Sequence, residues 1–314
     1  MATSTSTAGA TKLALPELPL DAWQSTYETV HMYTQVVGKL RLELSPRQNH
    51  WWHVALYVGA RGFTTSPIPA ADVNFQCDFD FLDRHELAVT SSHGERFTVP
   101  LGIPVKDFYR NLMTGLGDMG VRVTINPRPQ EVANPIPCDV DTRSDYDRER
   151  VRDFWQVMSF LHATFCEFRS GFAGKSSPVH FFWGAFDLAT TRFSGRSAAQ
   201  RPGDFVSAEA YNAELSSLGF WPGGDWPGAG RIDQPLLYSY AYPEPGKFPE
   251  QPASPRAAHY AATMGEFILP WEDVRTADDP RKAVLDFAQS TFEAAASLQN
   301  WPVDRLTLRA PPGS

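Results

Sequence analysis

Asp21-Ala22-Trp23-Gln24 returns as Asp153-Phe154-Trp155-Gln156, and His50-Trp51-Trp52-His53 meets His180-Phe181-Phe182-Trp183. The first pair stands 132 residues apart and the second 130. Ser45-Pro46 and Ser177-Pro178 keep the first spacing; Ala55 with Ala185 and Phe63 with Phe193 keep the second. A chain that echoes itself in this way predicts two related halves.

The local pattern around each echo agrees. Asp21, with Gln24 three residues on, resembles a capping box. Trp23, Tyr27, Val30, Thr34 and Val37 follow at helical spacing, and Gly38 is the expected stop. Short aromatic or β-branched strands are expected next, at 40–44, 51–58, 62–65, 75–81, 87–90 and 97–100. So close a succession means antiparallel meanders, because parallel strands need crossovers. A helix over 105–116 and a strand over 121–125 close the unit. In the second half the periodicity predicts a helix over 147–168 and strands over 179–188 and 191–194. A helix over 208–218 and a strand over 236–242 come next, and a last helix with Asp279 as cap and Pro280 at its first position.

The expected fold class is therefore α+β, a tandem pseudo-repeat of helix, antiparallel sheet and helix. The expected organisation is a disordered tail (1–17), a first half (18–126), a Pro-rich linker (127–145), a second half (146–307) with a Gly/Pro/Trp-rich insertion (195–235), and a tail (308–314).

Composition narrows the function. The 314 residues carry a formal net charge of −8, which argues against nonspecific nucleic-acid binding. No run of eighteen apolar residues suggests a membrane span. Three cysteines without CxxC spacing read as reduced thiols, and the Ser/Thr/Ala-rich start lacks an apolar signal segment, so a cytoplasmic protein is expected. The sequence leaves the oligomeric state open.

Candidate chemistry concentrates in 49–67 and 176–196. His50 and His180 are the expected acid–base histidines. Asp187 stands in the apolar stretch Phe181–Leu188, where a buried carboxylate needs a partner or an altered pKa. Arg192 and Arg196 are expected to pair with it or to hold an anion. Trp52, Trp183, Trp221, Tyr240 and Tyr242 are the expected walls, with Tyr238, Tyr240 and Tyr242 on one strand face. On a regular strand His50 and His53 point to opposite faces, so no metal site is expected. Gly171–Ser177 echoes a phosphate-binding loop but leads into a strand, not a helix. GxSxG, HExxH, EF-hand and GxGxxG patterns are absent, and no cofactor is expected.

Asn49-His50-Trp51-Trp52-His53-Val54, Ser177-Pro178-Val179-His180-Phe181-Phe182-Trp183-Gly184, Gly219-Phe220-Trp221-Pro222-Gly223-Gly224 and Tyr240-Ala241-Tyr242-Pro243-Glu244-Pro245 together resemble a bacterial family labelled as a domain of unknown function. That resemblance covers nearly the whole chain past its N-terminal tail. It implies a single cytosolic protein of this length and carries no activity or catalytic residue. The expected function is an enzyme that acts on a small polar or anionic metabolite by acid–base chemistry in an aromatic-walled pocket. The alternatives are a non-catalytic module for an aromatic or sugar-like ligand and a structural protein.

Overall fold

A computed structural model describes residues 14–199, 201, 205–226 and 230–308. The first half holds helix α1 (Leu20–Leu44), strands β1 (Tyr57–Val58), β2 (Phe63–Thr64), β3 (Ile68–Ala70), β4 (Val73–Asp80), β5 (Glu86–Ser91) and β6 (Arg96–Pro100), and helix α2 (Val105–Asp118). The second opens with α3 (Arg148–Ser170), β7 (His180–Phe182), β8 (Asp187–Ser197), α4 (Phe205–Ala210), β9 (Ala213–Trp221), β10 (Gly224–Trp226), β11 (Gly230–Ile232) and β12 (Leu236–Tyr242). It closes with β13 (His259–Ala261), β14 (Glu266–Pro270), α5 (Trp271–Arg275), α6 (Pro280–Leu298) and α7 (Val303–Leu306).

The α+β class holds. One sheet runs β1-β2-β4-β5-β6, with β3 beside β4; the other runs β7-β8-β9-β12-β14, with β13 at its far edge. Each is an antiparallel meander between helices. Their first strands meet: the Leu56 and Phe181 amides donate to each other's carbonyl oxygens at 2.9 and 2.8 Å. One apolar core, from Leu15 to Trp301, runs through both halves.

Caps obey local chemistry where the chain is free to follow it. Asp147 accepts from the Glu149 and Arg150 amides, and Asp279 from that of Lys282. The first helix departs from expectation. It starts after Pro19 with no side-chain cap and passes through Gly38 to Leu44, absorbing the expected strand at 40–44. Gly38 does not stop the helix; it leaves room for a ring. A Cβ there would stand 2.2 Å from Trp183 Cδ1. The buried polar groups of α1 tie down distant loops. Lys39 Nζ donates to the Arg128 carbonyl at 2.9 Å, Gln35 Nε2 to that of Gln130 at 2.8 Å, and Arg41 Nε to that of His53 at 2.9 Å.

Three further expectations are corrected. Residues 127–145 are not a free linker: they pack against α1 and α2, with Cys138 and Asp141 buried and the Val105 and Lys106 amides donating to Arg143 and Asp141 carbonyls. Of the expected N-terminal tail, residues 1–13 lie outside the described residues, but Leu15 is buried and the Pro16 carbonyl accepts from Trp271 Nε1. The expected insertion holds β9, a central strand of the second sheet, where a helix over 208–218 was expected.

The expected residue register also fails. His180–Phe182 is a strand, but its sequence echo at 50–52 lies in a tight turn, with φ of 58° at His50 and 59° at Trp51. Tyr57–Val58 takes the corresponding place in the first meander.

Candidate functional site

Register and alternation sort the second sheet into two faces. Leu188, Arg192, Leu218, Phe220, Leu237 and Leu269 point inward, toward α3 and α6. Asp187, Thr191, Ser217, Gly219, Tyr238, Tyr240 and Tyr242 point outward, and Glu266 joins them one residue before the inward Phe267. This outward face is covered. Tyr211, just past α4, brings its ring to 5.0 Å from that of Tyr242 and its hydroxyl to 3.2 Å from that of Tyr240. Tyr242 donates to the Ala199 carbonyl at 2.8 Å, and the Arg201 guanidinium lies 4.8 Å from the Tyr211 ring. Ile232 of the β10–β11 hairpin packs on the cluster of Trp221, Leu236 and Tyr238.

Two carboxyls sit in this enclosed layer. Asp187 is 8% exposed and accepts a short hydrogen bond from the Tyr238 hydroxyl. Burial drives its pKa up to about 7, against the pull of that bond. Glu266 is driven up to about 8 by burial and by the neighbouring Asp187, and its Oε2 is buried without a partner. Among the described residues neither carboxyl is in an ion pair. Gly219 makes the geometry possible: a Cβ there would stand 2.2 Å from Tyr238 Cζ, so only glycine lets that ring lie flat on β9.

The histidines line the β7 edge of this face: His180 pairs with Ala189, two residues from Asp187, and His50 lies farther along, at Phe193. His50 stacks on Phe193 at 4.7 Å, and Trp52 lies between His50 (5.6 Å) and His180 (5.8 Å). His50 Nδ1 donates to the Ala210 carbonyl at 3.1 Å, leaving Nε2 to accept from Lys175 Nζ at 2.7 Å. Burial, then the Lys175 ammonium, lowers its pKa. His180 is 1% exposed, edge-on to Tyr57 and Phe182, and both its ring nitrogens are buried without partners. Burial, with Arg41 and Arg169 nearby, pushes it down to about 3, so it is neutral and a poor proton acceptor.

The structure thus gathers His50, Trp52 and His180 along the β7 edge and Asp187, Tyr240 and Tyr242 on the same face. Three expected site residues are placed otherwise. Arg192 points into the core and Arg196 pairs with Glu214 at the exposed end of β8, so neither meets Asp187. Trp183 is buried against α1 and donates to the Val54 carbonyl at 2.8 Å. Trp221 stays on the face beside Tyr238, buried, with its indole donating to the Ala185 carbonyl at 3.1 Å. Tyr211 and Glu266 join the site unforeseen, and Lys175 joins it at His50. The sequence signal for Glu266 was a lone acid heading the apolar strand Phe267-Ile268-Leu269.

Two surface clefts, of ≈ 440 and ≈ 460 Å³, lie beside α6 and touch none of Asp187, Glu266, His50 or His180. Among the described residues no group of three or more His, Cys, Asp or Glu side chains is placed to hold a metal ion, and no helix is long and apolar enough to cross a membrane.

A family model described as a family of unknown function (DUF5996) matches residues 15–308, and the chain belongs to that family. No curated protein and no solved structure matches it.

Proposed function

We propose that this member of the family is an enzyme that acts on a small polar molecule by acid–base chemistry on the covered face of the second sheet. The observation that carries this reading is the pair of carboxyls, Asp187 and Glu266, desolvated on one face with no salt bridge to either among the described residues. Burial raises both carboxyls toward neutrality, so each can exchange a proton near pH 7. Asp187, held by the Tyr238 hydroxyl, is assigned as the base and Glu266 as the acid. A pair of carboxyls that titrates near the working pH can pass a proton in and out of a reacting group. Tyr238 orients Asp187, and Tyr240 and Tyr242 wall the substrate. Thr191, Tyr240, Tyr242 and Glu266 keep part of their surface in solvent, which gives access.

Arg192 and Arg196 lie off this face, and the cations near it include Lys175 at His50 and Arg201 at Tyr211. The reading places the chain in the cytoplasm, where its three free cysteines stay reduced, with no nucleic-acid partner at its net charge of −8. A non-catalytic binding role is the second reading, favoured by the stacked wall of Tyr238 and Tyr240, whose rings are 6.2 Å apart.

The test is a panel of small polar metabolites screened by heat stability and Trp fluorescence, followed by turnover assays of every ligand found. Asp187→Asn should lower turnover by roughly 10²-fold or more while ligand binding persists. Full turnover in that variant overturns the acid–base assignment, and tight ligands without turnover favour the binding role.

A further inference from the structure

We propose that Arg192 anchors a second, separate binding site, for a small carboxylate with an apolar body, in the cleft between α3 and α6. It stands independently of the acid–base reading, because Arg192 faces away from Asp187 across the same sheet.

The cleft is ≈ 460 Å³, within the range of small-molecule sites. Its lining combines Arg192 with Phe168 of α3, Phe172, Phe292 of α6, Gln289 and Thr307. The guanidinium carbon lies 3.5 Å from the Phe168 ring centre, 4.5 Å from that of Phe292 and 5.0 Å from that of Phe172. Three rings therefore hold the cation in a fixed plane.

Arg192 is only 5% exposed, yet it has no carboxylate among the described residues. Its one side-chain hydrogen bond is a short one from Nη2 to the Phe168 carbonyl, and Nε is buried without a partner. A buried charge without a counterion is strongly unfavourable, and burial already lowers its pKa to about 9. The rim acids do not supply the missing charge. Glu167 is held by Arg281, and Asp286 by Lys282 at 2.6 Å.

An anion is what this cation lacks, and the fork of a guanidinium matches a carboxylate. The three phenylalanine rings exclude a hydrated ion and favour an alkyl or aryl body. Gln289 and Thr307 at the rim add polar contacts for a second group. The fit is to a short fatty acid or an arylalkanoate.

The experiment is calorimetric titration of the full chain with octanoate, with octanamide as the uncharged control. Octanoate should bind at least tenfold tighter than octanamide. In ¹⁵N spectra of the wild type the Arg192 Nε–H signal should move on adding octanoate. Arg192→Met should abolish octanoate binding without lowering Tm, because it removes an uncompensated buried charge. Equal affinity for acid and amide, or an unmoved Nε–H signal, overturns the site. So does octanoate binding that survives Arg192→Met. The wild-type comparison decides the matter even where the variant misfolds.

Discussion

Both sheets are antiparallel meanders, and they differ in their outward faces. On the first sheet, Asp78, Ala88 and Thr98 stand side by side, with Gln76, Thr90 and Arg96 in the next row. All six keep contact with solvent, and Gln76 Nε2 donates to the Asp78 carboxylate at 2.9 and 3.0 Å. On the second sheet the same kind of face carries Asp187, Ser217, Tyr238 and Glu266 beneath a cover of Tyr211, Ala199 and the β10–β11 hairpin. Strand pattern makes a face. Whether something lies over it decides whether a carboxyl there titrates as in water or is held near neutrality.

The largest expected effect breaks the comparison most directly. Ser217→Lys drives a long side chain into the filled layer beside Tyr240 and should cost more than about 2 kcal/mol by overpacking, whichever carboxyl its ammonium meets. Gln76→Lys, on the open face, should stay within about 0.5 kcal/mol. Urea unfolding measures both; similar losses would erase the distinction between the faces.

A smaller effect is the pH dependence of the covered face. Asp187 rises from 3.8 unfolded to about 7 folded, and Glu266 from 4.5 to about 8. Their folded pKa values are raised, so the stability they contribute is full below pH 4 and is lost progressively from about pH 4 until pH has passed 7 to 8, most steeply between about pH 5 and 7. The slope in that window is up to about 1.4 kcal/mol per pH unit for each group. Asp187→Asn should flatten the Tm-against-pH curve there, and a curve identical to wild type would contradict the enclosed carboxyl.

The smallest effect concerns His180. Its folded value, about 3, lies below the unfolded 6.5, so its contribution is present above pH 6.5 and is lost as pH falls toward 3. His180→Phe keeps the ring contacts with Trp52 and Tyr57 and removes two unpartnered nitrogens. It should raise stability at pH 7 by about 1 kcal/mol and remove the acid-side loss. A destabilised variant would mean that the nitrogens have partners in solution.

Much of the chain was legible where local forces rule. Asp147 and Asp279 cap as their positions suggest, and Leu236–Tyr242 is a strand with its tyrosines on one face. The misreadings have non-local causes. Gly38 looked like a stop because the indole that needs the space is 145 residues further along the chain, at Trp183. Ala213–Trp221 begins with helix-favouring residues, but pairing on both edges with β8 and β12 makes it a strand. The aromatic alternation of His50–Val54 suggested a strand, whereas positive φ angles at His50 and Trp51 fold it into a turn. Asp187, Tyr240 and Tyr242 were identifiable as an acid in an apolar run and an aromatic row. Glu266 was not, because its place beside Tyr240 depends on strand order across the sheet.

Local sequence was enough for the α+β class, the cap at Asp279, the period of the strands, the net charge and the residue types available for chemistry. These follow from neighbours a few positions apart. Only the tertiary fold turns Arg192 toward the core, brings Asp187 to Tyr238, and covers one sheet face while leaving the other open. Desolvation and pairing depend on what arrives from far along the chain, and those terms set both the two raised carboxyls and the uncompensated arginine.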